Sequence, residues 1–151
     1  MIISRADVAD AEVILDLQRL AYQSEAAIYN DYSIPPLTQT VDQMRMDFDR
    51  QVILQATIEG RIVGSVRAYI KDGTCYIGRL IVHPDFQNRG IGTALMNSIE
   101  QHFAALANRY ELFTGERSER NLYLYQKLGY RIIPAKGLKD ETRLVFLEKR
   151  R

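Results

Sequence analysis

Residues 87–93 stand between a strand pattern and a helix pattern and have the types that bind an anion: Gln87, Asn88, Arg89, Gly90, Ile91, Gly92 and Thr93. Leu80, Ile81 and Val82 continue an apolar strand, and Pro84 and Asp85 break it. Ile91, Leu95, Ile99, Phe103 and Leu106 then predict a helix whose apolar stripe lies on a sheet. Gly90 and Gly92 carry no Cβ, so backbone N–H groups can converge on a phosphate with no side chain in the way. The unpaired amides and dipole at a helix start favour a phosphate there by ~0.3–1 kcal/mol at exposed sites. Arg89 can add a charge-assisted contact. Two other phosphate loops do not fit. GxGxxG needs glycine or alanine where Leu95 stands, and GxxxxGK[ST] needs a lysine that Thr93, Ala94 and Leu95 do not supply.

A second chemical segment is SERNLYLYQKLGY, residues 118–130. Asn121, Leu124, Tyr125 and Leu128 recur at i, i+3, i+4 and i+7, so one helical stripe carries an amide and a phenol inward together with two leucines. Ser118 is expected to cap this helix and Gly129 to end it in a left-handed cap. Tyr123 points elsewhere on the helix. A third group, Tyr22, Glu25, Tyr29, Asp31 and Tyr32, concentrates phenols and carboxylates around a helix end and a loop. It reads as an acceptor pocket, since carboxylates pair with an ammonium and aromatic faces attract cations by ~0.5–2 kcal/mol; it reads equally as helix surface with partly buried aromatics. Cys75 is expected to be a small buried packing residue. His83 falls in a loop, His102 lies mid-helix, and no set of residues has metal-ligand spacing.

Taken together, QxxGxG directly after a strand ending in VHP, followed at family-like distance by a helix carrying Asn121 and Tyr125 and ending in KLGY, resembles the GNAT superfamily of acetyl-CoA-dependent N-acetyltransferases. The resemblance spans most of the chain and is specific from the second strand to Tyr130. It implies an α/β (α+β) fold: a mixed, mostly antiparallel central sheet of about six to seven strands flanked by about four helices. Two parallel strands, here 74–82 and 110–114, would splay apart to admit the cofactor's pantetheine arm. It further implies that acetyl-CoA is the cosubstrate, with no metal, and that residues 87–93 hold its pyrophosphate. Backbone N–H groups near Ile81 and Val82 would hold its carbonyls, Asn121 would lie near it, and Tyr125 would face its sulfur as general acid. The acceptor would be a small amine or a peptide, attacking directly with no acetylated cysteine. A noncatalytic acyl-CoA-binding module is the competing reading. Many family members carry a glutamate on the strand before the cradle, but this chain has Gly78 and Arg79 there, leaving Glu25, Glu116 or a water chain as base.

The elements that must position these residues follow from pattern. Residues 2–5 predict a strand. Asp7 caps a helix running to about Ala27, with Val13, Leu17, Leu20, Ala21 and Ser24 as its inner stripe; residues 28–39 form a loop and 40–49 a second helix. Residues 52–58, 62–70 and 74–82 predict antiparallel strands joined at Glu59-Gly60 and Asp72-Gly73, the third apolar on both faces and so central. On it Tyr76, Gly78, Leu80 and Val82 share one face, and Cys75, Ile77, Arg79 and Ile81 the other. Strands at 110–114, 130–133 and 142–148 complete the set. With 151 residues and 46% hydrophobic content, one domain over 1–151 is expected. Twenty basic and nineteen acidic residues give a net charge of +1, so no field recruits nucleic acid or an anionic membrane. A single cysteine and no leader-like or spanning apolar run point to the cytoplasm, with a homodimer left open.

Overall fold

The computed structural model describes residues 1–134 and 143–151. Among them seven strands form one sheet: β1 Ile2–Arg5, β2 Val52–Ile58, β3 Arg61–Lys71, β4 Thr74–Val82, β5 Arg109–Gly115, β6 Arg131–Ile132 and β7 Leu144–Arg150. Their order is β1-β2-β3-β4-β5-β7-β6, and every neighbouring pair is antiparallel except β4 with β5. The turns at Glu59-Gly60 and Asp72-Gly73 put both residues at positive φ, the geometry that matches the twist of a two-residue hairpin. Residue 142, the expected start of the last strand, lies outside the described residues.

Helices cover both faces. α1 Ala11–Ala21, α2 Gln23–Tyr29, α3 Pro35–Thr38 and α4 Val41–Arg50 precede β2; α5 Ile91–His102 and α6 Glu119–Lys127 follow β4 and β5. α4 begins in a reciprocal capping box between Thr40 and Gln43. Ile91, Leu95, Met96 and Ile99 of α5 pack with Val66, Ala68, Cys75 and Ile77 in the larger core, which Tyr125 of α6 joins. Ala11, Ile14, Leu15, Met44 and Ile53 form the smaller core under α1 and α4. β4 is thus central, as its two-sided apolarity predicts.

Four expectations are corrected. The first helix is not continuous: it opens with a 3-10 turn at Val8–Asp10 and breaks at Tyr22, and the loop after it holds the short α3. Its inner stripe is also rotated. Val13 and Leu20 are exposed while Ile14 and Gln18 are buried, because a buried glutamine occupies the sheet-facing stripe and conceals it from an apolar count. Leu106 is 68% exposed, since α5 ends at His102 and the chain turns away, placing Ala107 inside instead. The face assignment along β4 fails at a β-bulge: Ile81 lies opposite Ser65 but Gly78 opposite Arg67, so Arg79 and Leu80 together face Val66. Arg79 takes φ 50°, and Leu80 and Val82 thereby join Cys75 and Ile77 on the α5 side.

Candidate active site

Parallel pairing between β4 and β5 covers only Thr74–Tyr76 against Arg109–Glu111. Beyond these residues β4 stays with β3 and β5 with β7, so the two central strands part as expected. His83 donates its amide to the Val63 carbonyl, and by the alternation of an antiparallel ladder the Ile81 amide also faces β3 while that of Val82 faces the gap.

At the end of β4 the cradle forms. Gly90 is the N-cap of α5 at φ 79°, and a Cβ placed on it would meet nothing within 4 Å, so the front of the helix is open. Asn88 is also left-handed. Ile91 is buried in the core and Thr93 sits in the first turn, half-buried. Gly92 does a different job: its Cβ position lies 3.4 Å from Leu124 and 3.8 Å from Leu80, where α5 meets α6 and β4. The guanidiniums of Arg89 and Arg61 lie over the Phe86 ring at 5.0 and 5.5 Å, and Arg61 bonds His83. His83 also accepts from the Asp85 amide, so it organises the turn into the cradle. Arg120, which the sequence reading did not single out, donates to Gln87 Oε1 at 2.5 Å and Asn88 Oδ1 at 3.0 Å. It ties the two motifs together, and its only signal was its place one residue before Asn121. An open helix start with Arg89 and Arg120 beside it fits a pyrophosphate.

Tyr125 is buried, its ring 6.1 Å from that of Tyr130. Burial raises its phenol well above the ordinary range, and the neighbouring Tyr22 and Glu25 push the same way, so it stands as a protonated donor. Ser118 does not cap α6. Its hydroxyl donates instead to Glu25 Oε2 at 2.5 Å, and Asn121 Nδ2 reaches Glu25 Oε1 at 3.4 Å and Thr114 Oγ1 at 3.3 Å. The Tyr29 hydroxyl accepts from the Arg117 amide at 2.7 Å and lies 3.2 Å from Ser118 Oγ. α2 is therefore clamped across β5 and α6, bringing Tyr22, Glu25 and Tyr29 together with Tyr125 and Asn121. Tyr32, 56% exposed, stands on the turn after α2 outside this clamp. Glu116 is exposed.

Behind Tyr22 lies a polar network. Arg67, buried, donates to Asp47 at 2.5 Å and to Gln18 at 2.9 Å; Gln39 donates to Asp47 at 2.6 Å and accepts from Gln18 at 3.0 Å. Sequence pattern missed it because Gln18, Gln39 and Asp47 read as surface residues on helices and loops. Cys75 is fully buried, and burial, with Glu100 adding, pushes its thiol up to about 12. Two shallow hollows of about 310 and 320 Å³ lie elsewhere, beside β1 and beside β7; they are surface grooves remote from these groups.

Comparison with known proteins identifies the architecture. The acetyltransferase (GNAT) family model matches residues 13–130, and the chain belongs to that family. An acetyltransferase of Pectobacterium atrosepticum is 30% identical over 95 residues, 60% of this chain and 65% of that protein. The alignment thus spans just under two thirds of that relative. Among similar solved structures, the PaiA N-acetyltransferase of Thermoplasma acidophilum in complex with coenzyme A superposes with a TM-score of 0.83 at 16% identity over all of both chains. YncA of Salmonella typhimurium with acetyl-CoA gives 0.76 at 18% identity, over 99% of this chain and 93% of that one. Among the described residues no cluster of His, Cys, Asp or Glu could hold a metal, and no helix is long and apolar enough to cross a membrane.

Proposed function

We propose that the protein is an acetyl-CoA-dependent N-acetyltransferase acting on a small primary amine. The observation that carries this reading is the parting of β4 from β5 beside a buried, protonated Tyr125, with an open anion cradle at the same end of the sheet. Acetyl-CoA supplies an acetyl thioester when bound. Gln87–Thr93 and Arg120 would hold its pyrophosphate, and the Val82 amide would donate to a carbonyl in the gap. The acceptor's nitrogen must be neutral to attack, yet an amine of pKa ~10.4 is neutral in only about one part in a few thousand at pH 7, a cost of ~4–5 kcal/mol.

Glu25 is the carboxylate placed to receive that proton, because Ser118 and Asn121 fix it beside Tyr125 whereas Glu116 is exposed. As the C–N bond forms and the C–S bond breaks, Tyr125 would donate a hydrogen bond to the sulfur, and the second proton shed by the amide nitrogen would pass to the departing thiolate, giving the free thiol. Cys75 takes no part, its thiol being sealed in the core. The clamping of α2 over the site supports a small acceptor over a protein side chain, since an extended peptide needs an open groove. The test is a panel of amines with acetyl-CoA, following free thiol. Release that depends on the amine, with stoichiometric acetamide product, is expected; acetyl-CoA binding without transfer to any amine would leave a noncatalytic binding module.

A further inference from the structure

Arg79 occupies a position that costs energy and satisfies little. It is a non-glycine residue at φ 50° in the bulge of the central strand, a conformation normally retained where the surroundings over-determine it. Its guanidinium has five donors, yet its contact is a long one, 3.4 Å to Gln39 Oε1, an oxygen already accepting from Gln18. Nearby Arg67 takes the carboxylate of Asp47, the glutamine oxygen of Gln18 and the Met44 sulfur. Among the described residues Arg79 has no ion pair. On the acceptor side of the gap the Asp47 carboxylate is thus taken by Arg67, and among the described residues no carboxylate pairs with Arg79.

The opposite charge lies on the next helix. Gln18 of α1, which holds Arg67 and Gln39, is followed one turn later by Tyr22, where α1 meets α2, and then by Glu25 in the first turn of α2. The Tyr22 phenol responds to both ends: burial raises it most, Arg79 lowers it and Glu25 raises it. Among the described residues the site thus presents a guanidinium without a carboxylate partner at one end, a fixed carboxylate at the other, and a tyrosine between. A diamine would set its second ammonium against Arg79.

Resting on the transferase reading above, we propose that the acceptor is an amine that also carries a carboxylate, an amino acid or short peptide, with its amine at Glu25 and its carboxylate paired to Arg79. Amino acids and dipeptides would be assayed with acetyl-CoA beside their carboxamides, their decarboxylated amines and simple diamines. In the wild type the carboxylate form of the best acceptor should exceed its carboxamide roughly tenfold or more in kcat/KM, chiefly through KM. Arg79→Asn, whose side chain tolerates positive φ, should bring that ratio toward one, and Arg79→Lys should keep part of it. Calorimetric binding of acetyl-CoA reports separately that each variant is folded. A wild-type enzyme that acetylates carboxamides or diamines as well as carboxylates overturns the proposal and leaves the transferase reading intact, as does a preference that survives Arg79→Asn. Thiol release with none of these amines overturns both.

Discussion

Tyr125 carries two properties that act against each other. Burial keeps its phenol protonated, which suits a donor, but the same burial makes full transfer of the proton to a thiolate unfavourable. Even a free phenol of pKa ~10 facing a thiol of ~8.5 is uphill by ~2 kcal/mol, and the raised phenol widens that gap. Arg89 lies over Phe86 and so does not serve to stabilise a phenolate. In the proposed reaction the hydroxyl would therefore serve as a hydrogen bond that matures as the sulfur departs. Tyr125→Phe should lower kcat toward the low end of the ~10²–10⁴ range of general acids, with acetyl-CoA affinity within a few-fold of wild type. Steady-state kinetics beside direct titration would show it, and undiminished turnover in a folded variant would reduce this tyrosine to a packing residue. Tyr125 was legible in the sequence because leucines flank it in the same stripe. Gln18 and Arg120 were not, since a polar residue with a buried or bridging partner distant in sequence looks like any solvated side chain.

At the level of elements, two glycines bear on the site. A Cβ on Gly92 would stand at ordinary contact distance from Leu124 and Leu80, so it is the added methyl groups of Gly92→Val that would crowd the α5–α6 contact as well as the proposed cofactor path. Titration should show acetyl-CoA affinity falling at least tenfold, with a modest loss of stability of about 1–3 kcal/mol in urea. Unchanged affinity would detach the loop from the cofactor. Gly115 lies against the α2 clamp on the proposed acceptor side: a Cβ there would overlap the Tyr29 ring and hydroxyl and the Ser118 hydroxyl. Gly115→Ala should release α2 from β5 and α6, raising the acceptor's KM several-fold while acetyl-CoA affinity stays near wild type. An unaltered KM would show that the clamp does not shape the pocket. The strands and α5 were readable from periodicity and from Asp-Gly turns. The break at Tyr22 and the bulge at Arg79 were not, because neither residue type marks a left-handed or interrupted backbone.

The sheet carries helices on both faces, and its central strand seals Cys75 within the larger core beside residues that also resist ionisation. This makes alkaline stability a test of the packing. In the folded chain the Cys75 thiol is raised from 9.0 to about 12, so folding favours the protonated form. The contribution is fully present below pH 9 and is lost as pH rises from 9 toward 12, because the unfolded chain releases the proton first. Each proton so linked lowers stability by about 1.4 kcal/mol per pH unit within that window. Tyr130, raised by burial and by Glu100, and Tyr125 act in the same direction, but from a higher ordinary value of 10.0, so Cys75 dominates the onset. Cys75→Ala lowers the baseline by leaving a small cavity, yet it removes only the thiol's share of the slope. Urea unfolding at pH 8 and pH 10 should therefore show the wild type losing about 1 kcal/mol more than Cys75→Ala over that interval. The native thiol should also resist alkylation at pH 8 until the protein unfolds. Equal losses in the two proteins, or rapid labelling of the native chain, would mean that β4 and α5 do not close over Cys75 in solution, and that the strand which parts from β5 to make the gap is itself loosely held.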